Sequence, residues 1–177
     1  MKYLIRQEEV KDYRQTEALI KEAFLTAEMT DGNEHTLVEK LRKGESFIPE
    51  LSLVAEDGGE IVGHIMLTKN KIVDDNLSYD SLTLAPLSVL PPFKNQGIGS
   101  HLINKALDEA KKRGFKSVIV LGHPEYYSKF GFKAASNWEI TCPFPVPSEA
   151  FMAIELVKNG LAEINGKVKY PAEFLES

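Results

Sequence analysis

The 177-residue chain is 43% hydrophobic and 27% charged, which excludes a disordered or fibrous protein and allows one domain with a substantial core. Its net charge of -5 disfavours sequence-independent binding to nucleic acid, because that binding depends on lysine and arginine. The sequence contains no apolar run long enough for a membrane span or a secretory signal, so we expect a cytoplasmic protein with no membrane and no nucleic-acid partner.

The N-terminal part of the chain is expected to form one strand and two helices. Tyr3–Arg6 is a short run typical of a strand. Apolar residues then recur at helical spacing over Asp12–Leu25, which predicts the first helix. A second, shorter helix is predicted over His35–Arg42, and it should end at Lys43 and Gly44.

An antiparallel hairpin is predicted in the next segment. The apolar runs Leu51–Glu56 and Glu60–Thr68 are joined by an Asp-Gly pair, which is a strong hairpin signal. We interpret Lys71–Leu77 as a polar excursion. A third long strand follows over Ser81–Leu90 and is expected to be interrupted at Pro86, because proline has no N–H to donate to a neighbouring strand.

The clearest helix is predicted over Gly97–Arg113, where apolar residues fall on one face at helical spacing. Gly114 is expected to cap the C-terminus of this helix. Ser117–Leu121 is an apolar run typical of a strand that is buried on both faces. Strand, helix and strand in this order predict a crossover unit in which Ser81–Leu90 and Ser117–Leu121 run parallel.

The C-terminal third is expected to complete an α/β domain with a mixed sheet. A short helix is predicted over Glu125–Phe130, and a last apolar strand is predicted over Phe151–Val157. We assign residues 1–157 to the domain. Residues 158–177 are interpreted as a C-terminal extension that packs on the same domain.

A glycine-rich turn stands between the third long strand and the clearest helix, from Lys94 to Ser100. The first amides of a helix have no internal partner and lie at the positive end of the helix dipole, so such a turn can hold a phosphate group. Gly97 and Gly99 either let the backbone approach the anion closely or merely permit a tight connection. No P-loop sequence occurs, and a dinucleotide fingerprint is excluded because Leu102 stands where its third glycine would be.

The segment Lys94–Gly99 is similar to the acetyltransferase signature of Arg or Gln, two variable residues, Gly, one variable residue, and Gly or Ala. Together with the order of elements, it gives a resemblance to the GCN5-related N-acetyltransferases (GNAT) over about the first 155 residues. This resemblance implies the acyl-CoA N-acyltransferase fold, an α/β fold with a mixed, mostly antiparallel sheet, splayed central parallel strands and flanking helices. Acetyl-CoA would insert between the splayed strands as the cosubstrate.

The resemblance also implies which residues bind the cofactor. The backbone of Leu87, Ser88 and Val89 would pair with the pantetheine arm. Lys94 departs from the usual Arg or Gln, but it keeps a donor and adds a positive charge. The residues that would hold the pyrophosphate are Lys94, Asn95, Gln96, Gly97, Ile98, Gly99 and Ser100.

The catalytic acid is likewise implied by the resemblance. Tyr127, which precedes Gly131, looks like the family tyrosine that protonates the departing thiolate, and the amide of Val89 would polarise the thioester oxygen. The alternative is a tyrosine that only packs beside the sulfur. Many family members have asparagine and alanine where this chain has Val120 and His123. The chain therefore resembles a subgroup of predicted small-molecule acetyltransferases with Leu-Gly-His-Pro at this place.

The sequence leaves the general base open. His64, His123 or a wire of waters would take the proton of the amine, although a lone histidine on a strand is more often structural. Cys142 has no recognisable activating partner, so transfer through an acetylated thiol is not favoured. Acidic residues between the first two helices would attract an amine or simply be solvated, namely Glu28, Asp31 and Glu34.

We therefore expect an N-acetyltransferase that moves the acetyl group of acetyl-CoA to a primary amine by direct attack in a ternary complex. The acceptor would be a small-molecule or peptide amine, and no metal is implied. The alternatives are a non-catalytic acetyl-CoA-binding sensor or regulatory module, and the transfer of another acyl group. The sequence is compatible with a monomer and with a homodimer.

Overall fold

The computed structural model describes residues 3–25 and 32–175. These residues fall into two units. The first unit comprises the described residues of Met1–Leu67 and Ala85–Ala106, and the second comprises those of Thr68–Leu84 and Leu107–Ser177. The chain crosses from one unit to the other inside two long strands and one helix.

The described residues form nine strands of one hydrogen-bonded sheet. Their bounds are β1 Tyr3–Gln7, β2 Ser52–Asp57, β3 Glu60–Asp74, β4 Leu77–Val89, β5 Ser117–Leu121, β6 Lys133–Ala134, β7 Ile140–Thr141, β8 Phe151–Glu155 and β9 Gly166–Lys169. The short strands β6, β7 and β9 have no counterpart among the predicted strands. β4 continues through Pro86 to Val89, whereas its pairing with β5 lies at Thr83, before the proline.

The helices agree with the predicted ones to within a few residues. Their bounds are α1 Tyr13–Ala23, α2 Glu34–Arg42, α3 Ile98–Lys112 and α4 Pro124–Tyr127. The predicted helix over Glu125–Phe130 is divided, because α4 is followed by a 3-10 turn over Ser128–Phe130. Gly131 ends this turn with a φ of 102°, a left-handed conformation that glycine adopts without strain.

Hydrogen-bonded strands follow the order β1-β2-β3-β4-β5-β8-β6, and β9 pairs with both β3 and β7. The pairs β1–β2, β2–β3, β3–β9, β5–β8 and β6–β8 are antiparallel, whereas β4–β5 and β7–β9 are parallel. The parallel pairing of Thr83 with Ile119 confirms the predicted crossover. The fold is α/β, with a mixed, mostly antiparallel sheet flanked by helices.

The expectation of a polar excursion over Lys71–Leu77 is wrong. β3 continues to Asp74 and β4 begins at Leu77, so the two strands form a hairpin around a left-handed Asp75 with a φ of 48°. Ile72 is fully buried while the residue before it is exposed, which is the alternation of a half-buried strand. The polar residues are therefore the solvent-facing positions of strands and not a break between them.

In the first unit, helix α3 packs directly on strand β3. A Cβ atom at Gly63 would lie 3.0 Å from side-chain carbons of both Ile98 and Leu102. This separation is shorter than an ordinary contact between carbon atoms, so a side chain at this position would require Ile98 and Leu102 to shift. A buried cluster elsewhere in the unit consists of Leu19, Val54 and Ile61.

In the second unit, the core includes residues of the segment 158–177. Val168 of β9 is buried and stands opposite Ile72 of β3 in the strand register. The segment therefore supplies a strand and apolar side chains to this unit. The buried residues of its core cluster are Ile72, Ile119, Ala135, Ile140, Phe151, Ala153, Leu161, Val168 and Tyr170.

Candidate active site

The glycine-rich turn leads from β4 into α3 within the first unit. After a 3-10 turn over Pro91–Phe93, Asn95 and Gly97 adopt positive φ angles of 63° and 85°. Glycine adopts this conformation without strain, and asparagine tolerates it better than most residues. Helix α3 begins at Ile98, and the amide of His101 donates to the carbonyl of Gly97 at 3.0 Å. The left-handed residues thus turn the chain immediately before the helix.

The amides from Asn95 to Ser100 are free to bind a ligand. The amide of Lys94 donates to the carbonyl of Pro91 at 3.2 Å, but within residues 3–25 and 32–175 no backbone carbonyl accepts a bond from the amides of Asn95–Ser100. Residues 94–97 are exposed to solvent. No atom lies within 4 Å of the position that a Cβ atom of Gly97 would occupy. Unpaired amides at a helix N-terminus attract anions. We call Asn95–Ser100 the amide cradle.

Ile98 anchors the amide cradle to the sheet. Its side chain is 2% exposed, whereas Gly97 before it is exposed. Ile98 also packs beside Gly63 of β3. The cradle is therefore fixed to the core at Ile98, while Asn95, Gln96 and Gly97 are exposed to solvent.

The end of β4 carries the residues that are predicted to pair with the pantetheine arm. Leu87 and Val89 are half-buried, and Ser88 is 3% exposed. The amide of Leu90 donates to the carbonyl of Val62 in β3 at 2.9 Å. Because successive amides of a strand point in opposite directions, the amide of Val89 points away from β3. This orientation is compatible with a contact to a thioester oxygen.

Tyr127 belongs to the second unit, where aromatic neighbours enclose its ring. The ring centroid lies 5.1 Å from that of Tyr126 and 5.6 Å from that of Phe132, both in edge-to-face geometry. The ring also packs against the backbone of Gly122, to which the sequence interpretation assigns no role. Burial raises the pKa of Tyr127, and Tyr126 raises it further, so the phenol keeps its proton at physiological pH.

The sequence matches the model of the Acetyltransferase (GNAT) family over residues 8–132. The chain belongs to this family. The matched residues include the amide cradle, the end of β4 and Tyr127, which are the positions that carry the resemblance in the sequence.

Curated relatives of this acetyltransferase are found in Escherichia coli. The uncharacterized N-acetyltransferase YhbS of strain K12 is 30% identical over 172 residues, which cover 97% of this chain and 98% of YhbS. The uncharacterized N-acetyltransferase YjhQ of the same strain is 37% identical over 117 residues, covering 66% of this chain and 65% of YjhQ. The likeness to YhbS therefore extends beyond the family match to the C-terminal segment.

Two solved structures show the same fold over nearly the whole chain. YhbS from Escherichia coli in complex with CoA is 28% identical, with a TM-score of 0.90 over 99% of this chain and 93% of that chain. A GNAT family acetyltransferase from Brucella melitensis in complex with acetyl-CoA is 28% identical, with a TM-score of 0.80 over 97% of both chains.

His64, a candidate general base, is fully buried in the first unit of this acetyltransferase. Ser52 Oγ donates to Glu8 Oε1 at 2.8 Å, so the contact of 3.0 Å between Ser52 Oγ and His64 Nε2 is a bond that the imidazole N–H donates. Burial lowers the pKa of His64 to about 4, with Glu8 opposing and Arg42 reinforcing the shift. A neutral and enclosed imidazole fits a structural role better than proton exchange with a bound amine.

His64 should make the stability of this acetyltransferase fall between pH 6.5 and pH 4. The imidazole takes up its proton near pH 6.5 in the unfolded chain but only near pH 4 in the folded chain, so protons favour unfolding in this window. The expected loss is about 3 kcal/mol of unfolding free energy. Urea denaturation across this pH range would measure it. The loss should shrink by this amount in His64→Gln but not in the exposed control His101→Gln, and equal slopes in both variants would contradict the prediction.

Of the other polar candidates, the structure describes His123 and Glu34. His123 is exposed at the start of α4, where its carbonyl accepts the amide of Tyr127 at 3.1 Å. Glu34 is half-buried in the first turn of α2. Glu28 and Asp31 lie outside the described residues. Of the two histidines considered as general bases, His64 is buried and His123 is accessible to solvent.

The environment of Cys142 disfavours a reactive thiolate. Burial raises the pKa of the half-buried Cys142 thiol, which disfavours the thiolate that a covalent route would need. Within the ranges that the structure describes, no group of three or more His, Cys, Asp or Glu residues is arranged to hold a metal ion. The helices of the same ranges are all too short or too polar to cross a membrane.

Proposed function

We propose that this acetyltransferase binds acetyl-CoA with its pyrophosphate at the amide cradle and transfers the acetyl group to a primary amine. The observation that carries the proposal is the cradle itself, in which the amides of Asn95–Ser100 lack backbone acceptors in the described chain and border open space at Gly97. The exposed Lys94 adds a positive charge at its entrance. The bound CoA and acetyl-CoA in the two similar structures support this assignment.

The backbone of Leu87, Ser88 and Val89 is proposed to pair with the pantetheine arm. The amide of Val89 is the group assigned to the thioester oxygen, because it points away from β3 and is free of that neighbour. A fixed N–H at this oxygen would stabilise the negative charge that develops when the carbonyl is attacked.

In the proposed reaction the neutral amine attacks the thioester carbonyl and forms the C–N bond. The tetrahedral intermediate then collapses, the C–S bond breaks, and the sulfur takes a proton from the Tyr127 hydroxyl. The proton of the amine passes to water, and solvent returns a proton to the phenolate. Because burial raises the pKa of Tyr127, the phenol holds its proton until negative charge develops on the sulfur.

Replacing Tyr127 with phenylalanine tests the proposed acid. Tyr127→Phe should lower kcat by about 100-fold, because a positioned proton donor contributes at least that much. The affinity for acetyl-CoA, measured by titration calorimetry, should change by less than about twofold, since the ring is retained. Tyr79→Phe, at a half-buried tyrosine of the same unit that packs against its core cluster, is the matched control and should keep the wild-type rate. An unchanged rate in Tyr127→Phe would reduce Tyr127 to a packing role.

The assay would follow thiol release from acetyl-CoA with a panel of amines. Polyamines, amino acids, aminoglycosides, peptide N-termini and lysine side chains all present the primary amine that the reaction requires. Absence of submillimolar acetyl-CoA binding would overturn the cofactor assignment. Binding without thiol release by any amine would favour the non-catalytic sensor, and release from a different acyl-CoA alone would favour another acyl group.

A further inference from the structure

We infer that Gly122 is a positioning residue for Tyr127, because the side chain that it lacks leaves the space in which the tyrosine ring lies. This inference rests on the proposed function, in which Tyr127 protonates the departing sulfur. Gly122 follows β5 directly, and Tyr127 is the last residue of α4. The contact is therefore made within the second unit, between the end of a strand and the helix that follows it.

The space at Gly122 is smaller than a methyl group. A Cβ atom built on Gly122 would lie 2.4 Å from Cε2 and 2.9 Å from Cδ2 of the Tyr127 ring. Both separations are well below the contact distance of about 3.5 Å between carbon atoms. Any residue other than glycine would therefore have to displace either the ring or the backbone.

Backbone conformation does not explain the glycine. Gly97, Gly114 and Gly131 have φ angles of 85°, 89° and 102°, in the left-handed region that favours glycine. Gly122 is absent from the positive-φ residues of the described chain, so its φ lies outside the left-handed region that favours glycine. Room for the ring is the remaining requirement for glycine at this position.

The ring would move, because the backbone of Gly122 is fixed. The amide of Gly122 donates to the carbonyl of Ala150 at 3.0 Å, and the neighbouring Leu121 pairs with Phe151 in the β5–β8 register. Rotation of the Tyr127 side chain away from Gly122 is the cheaper response, since one side-chain torsion is softer than a strand ladder.

The direction of this movement matters for the reaction. Tyr126 and Phe132 already border the ring in edge-to-face contacts at 5.1 and 5.6 Å, so the ring cannot translate toward them. It must turn, and its hydroxyl, the atom farthest from the Cα, moves most. A proton donor has to stand within about 3 Å of its acceptor, and a misplacement of about 1 Å is enough to slow a reaction severely.

Gly122→Ala should therefore lower kcat at least about tenfold while it leaves the calorimetric affinity for acetyl-CoA within about twofold. The substitution would be compared with Ser128→Ala, an alanine substitution at an exposed position beside Tyr127. Thiol release would be followed in two reactions, the slow hydrolysis of acetyl-CoA by water and the transfer to an amine from the panel. Both reactions need a proton on the same sulfur, so the test does not depend on an identified acceptor.

A double-mutant cycle separates positioning from general damage. If Gly122 acts through the Tyr127 hydroxyl, Gly122→Ala should slow the wild-type enzyme but should have no further effect on kcat in the Tyr127→Phe background. An equal loss in both backgrounds would overturn the inference. If Gly122→Ala keeps the wild-type kcat while Tyr127→Phe is slow, the inference about Gly122 is wrong and the proposed acid stands. If Tyr127→Phe also keeps the wild-type kcat, the proposed acid is wrong as well.

If Gly122→Ala folds poorly, a double-mutant cycle on the melting temperature tests the inference instead. Tyr127→Leu replaces the ring by a smaller side chain, so Gly122→Ala should cost much less thermal stability in that background than in the wild type. Such recovery would show that the ring and the added methyl group compete for one space. The same loss of melting temperature in both backgrounds would show that the backbone conformation requires glycine at this position, and the inference would be wrong.

Discussion

Gly97→Val is expected to raise the dissociation constant for acetyl-CoA by about 1000-fold, as the loss of two or more hydrogen bonds to a charged phosphate would do. Gly97 has a φ of 85°, which a β-branched residue adopts only with strain, so the backbone at the start of the amide cradle would change its conformation. Titration calorimetry with acetyl-CoA measures the effect.

Gly114→Val is the matched control for this experiment. Gly114 has a φ of 89° and, like Gly97, open space where a Cβ would stand, but it lies beyond the C-terminal end of α3. Both variants should lose a similar amount of stability, about 1–3 kcal/mol of backbone strain. Only Gly97→Val should lose acetyl-CoA binding. Unchanged affinity in Gly97→Val, or the same loss of affinity in both variants, would contradict the proposal that the amide cradle binds the pyrophosphate.

Arg42→Met is expected to destabilise the protein by roughly 3–5 kcal/mol, because it leaves a buried carboxylate without its cation. The Arg42 guanidinium donates to Glu8 Oε2 at 2.7 Å and to Glu17 Oε2 at 2.6 Å, and it stacks 3.9 Å from the centroid of the Tyr13 ring. The Glu8 side chain is 0% exposed and that of Arg42 is 5% exposed. Urea denaturation with linear extrapolation measures the loss.

Two further variants test whether the unpaired charge causes this loss. Lys43→Met removes the neighbouring cation, which is 77% exposed and lies 3.6 Å from Glu39, so its effect should stay below about 1 kcal/mol. Combining Arg42→Met with Glu8→Met removes both buried charges and should recover part of the stability. A loss of less than about 1 kcal/mol in Arg42→Met, or no recovery in the double variant, would contradict this account.

The amide cradle could be predicted from the sequence because its geometry is local. Its amides are orphaned by the start of a helix, and its turn depends on Asn95 and Gly97, which are adjacent to that helix in the chain. Hydrophobic periodicity identified α3, and the glycines marked its start. Contiguous residues thus sufficed to predict a turn with unpaired amides at the start of a helix, and the family match agrees with the resemblance that they suggested. Phosphate binding at this turn stays a proposal.

The hairpin of β3 and β4 was misinterpreted because its partner is distant in the sequence. Ile72 is buried opposite Val168 of β9. No strand was predicted within the C-terminal extension that contains β9. Few residues around Ile72 are apolar, so the local pattern suggested an excursion. Tertiary pairing decides the structure of such segments, and a single sequence does not reveal the pairing.

The buried polar network was also beyond local prediction. Glu8, Arg42, Ser52 and His64 come from separate parts of the chain, and their hydrogen bonds exist only when those parts are folded together. Gly122 did leave a signal, since a glycine at the end of a strand often marks a close approach. The sequence could not indicate that the approaching group is the ring of Tyr127.

The missing side chain at Gly63 lets the first turn of α3, which carries part of the amide cradle, lie close against β3. Ile98, the first residue of α3, rests on the bare backbone of β3, so a larger side chain at Gly63 is expected to shift the proposed pyrophosphate site relative to the strand. For the proposed site, cofactor affinity would therefore depend on a residue that packs under the helix and does not contact the cofactor. Engineering of the donor site has a second point of access at Gly63, on the opposite side of the helix from the solvent.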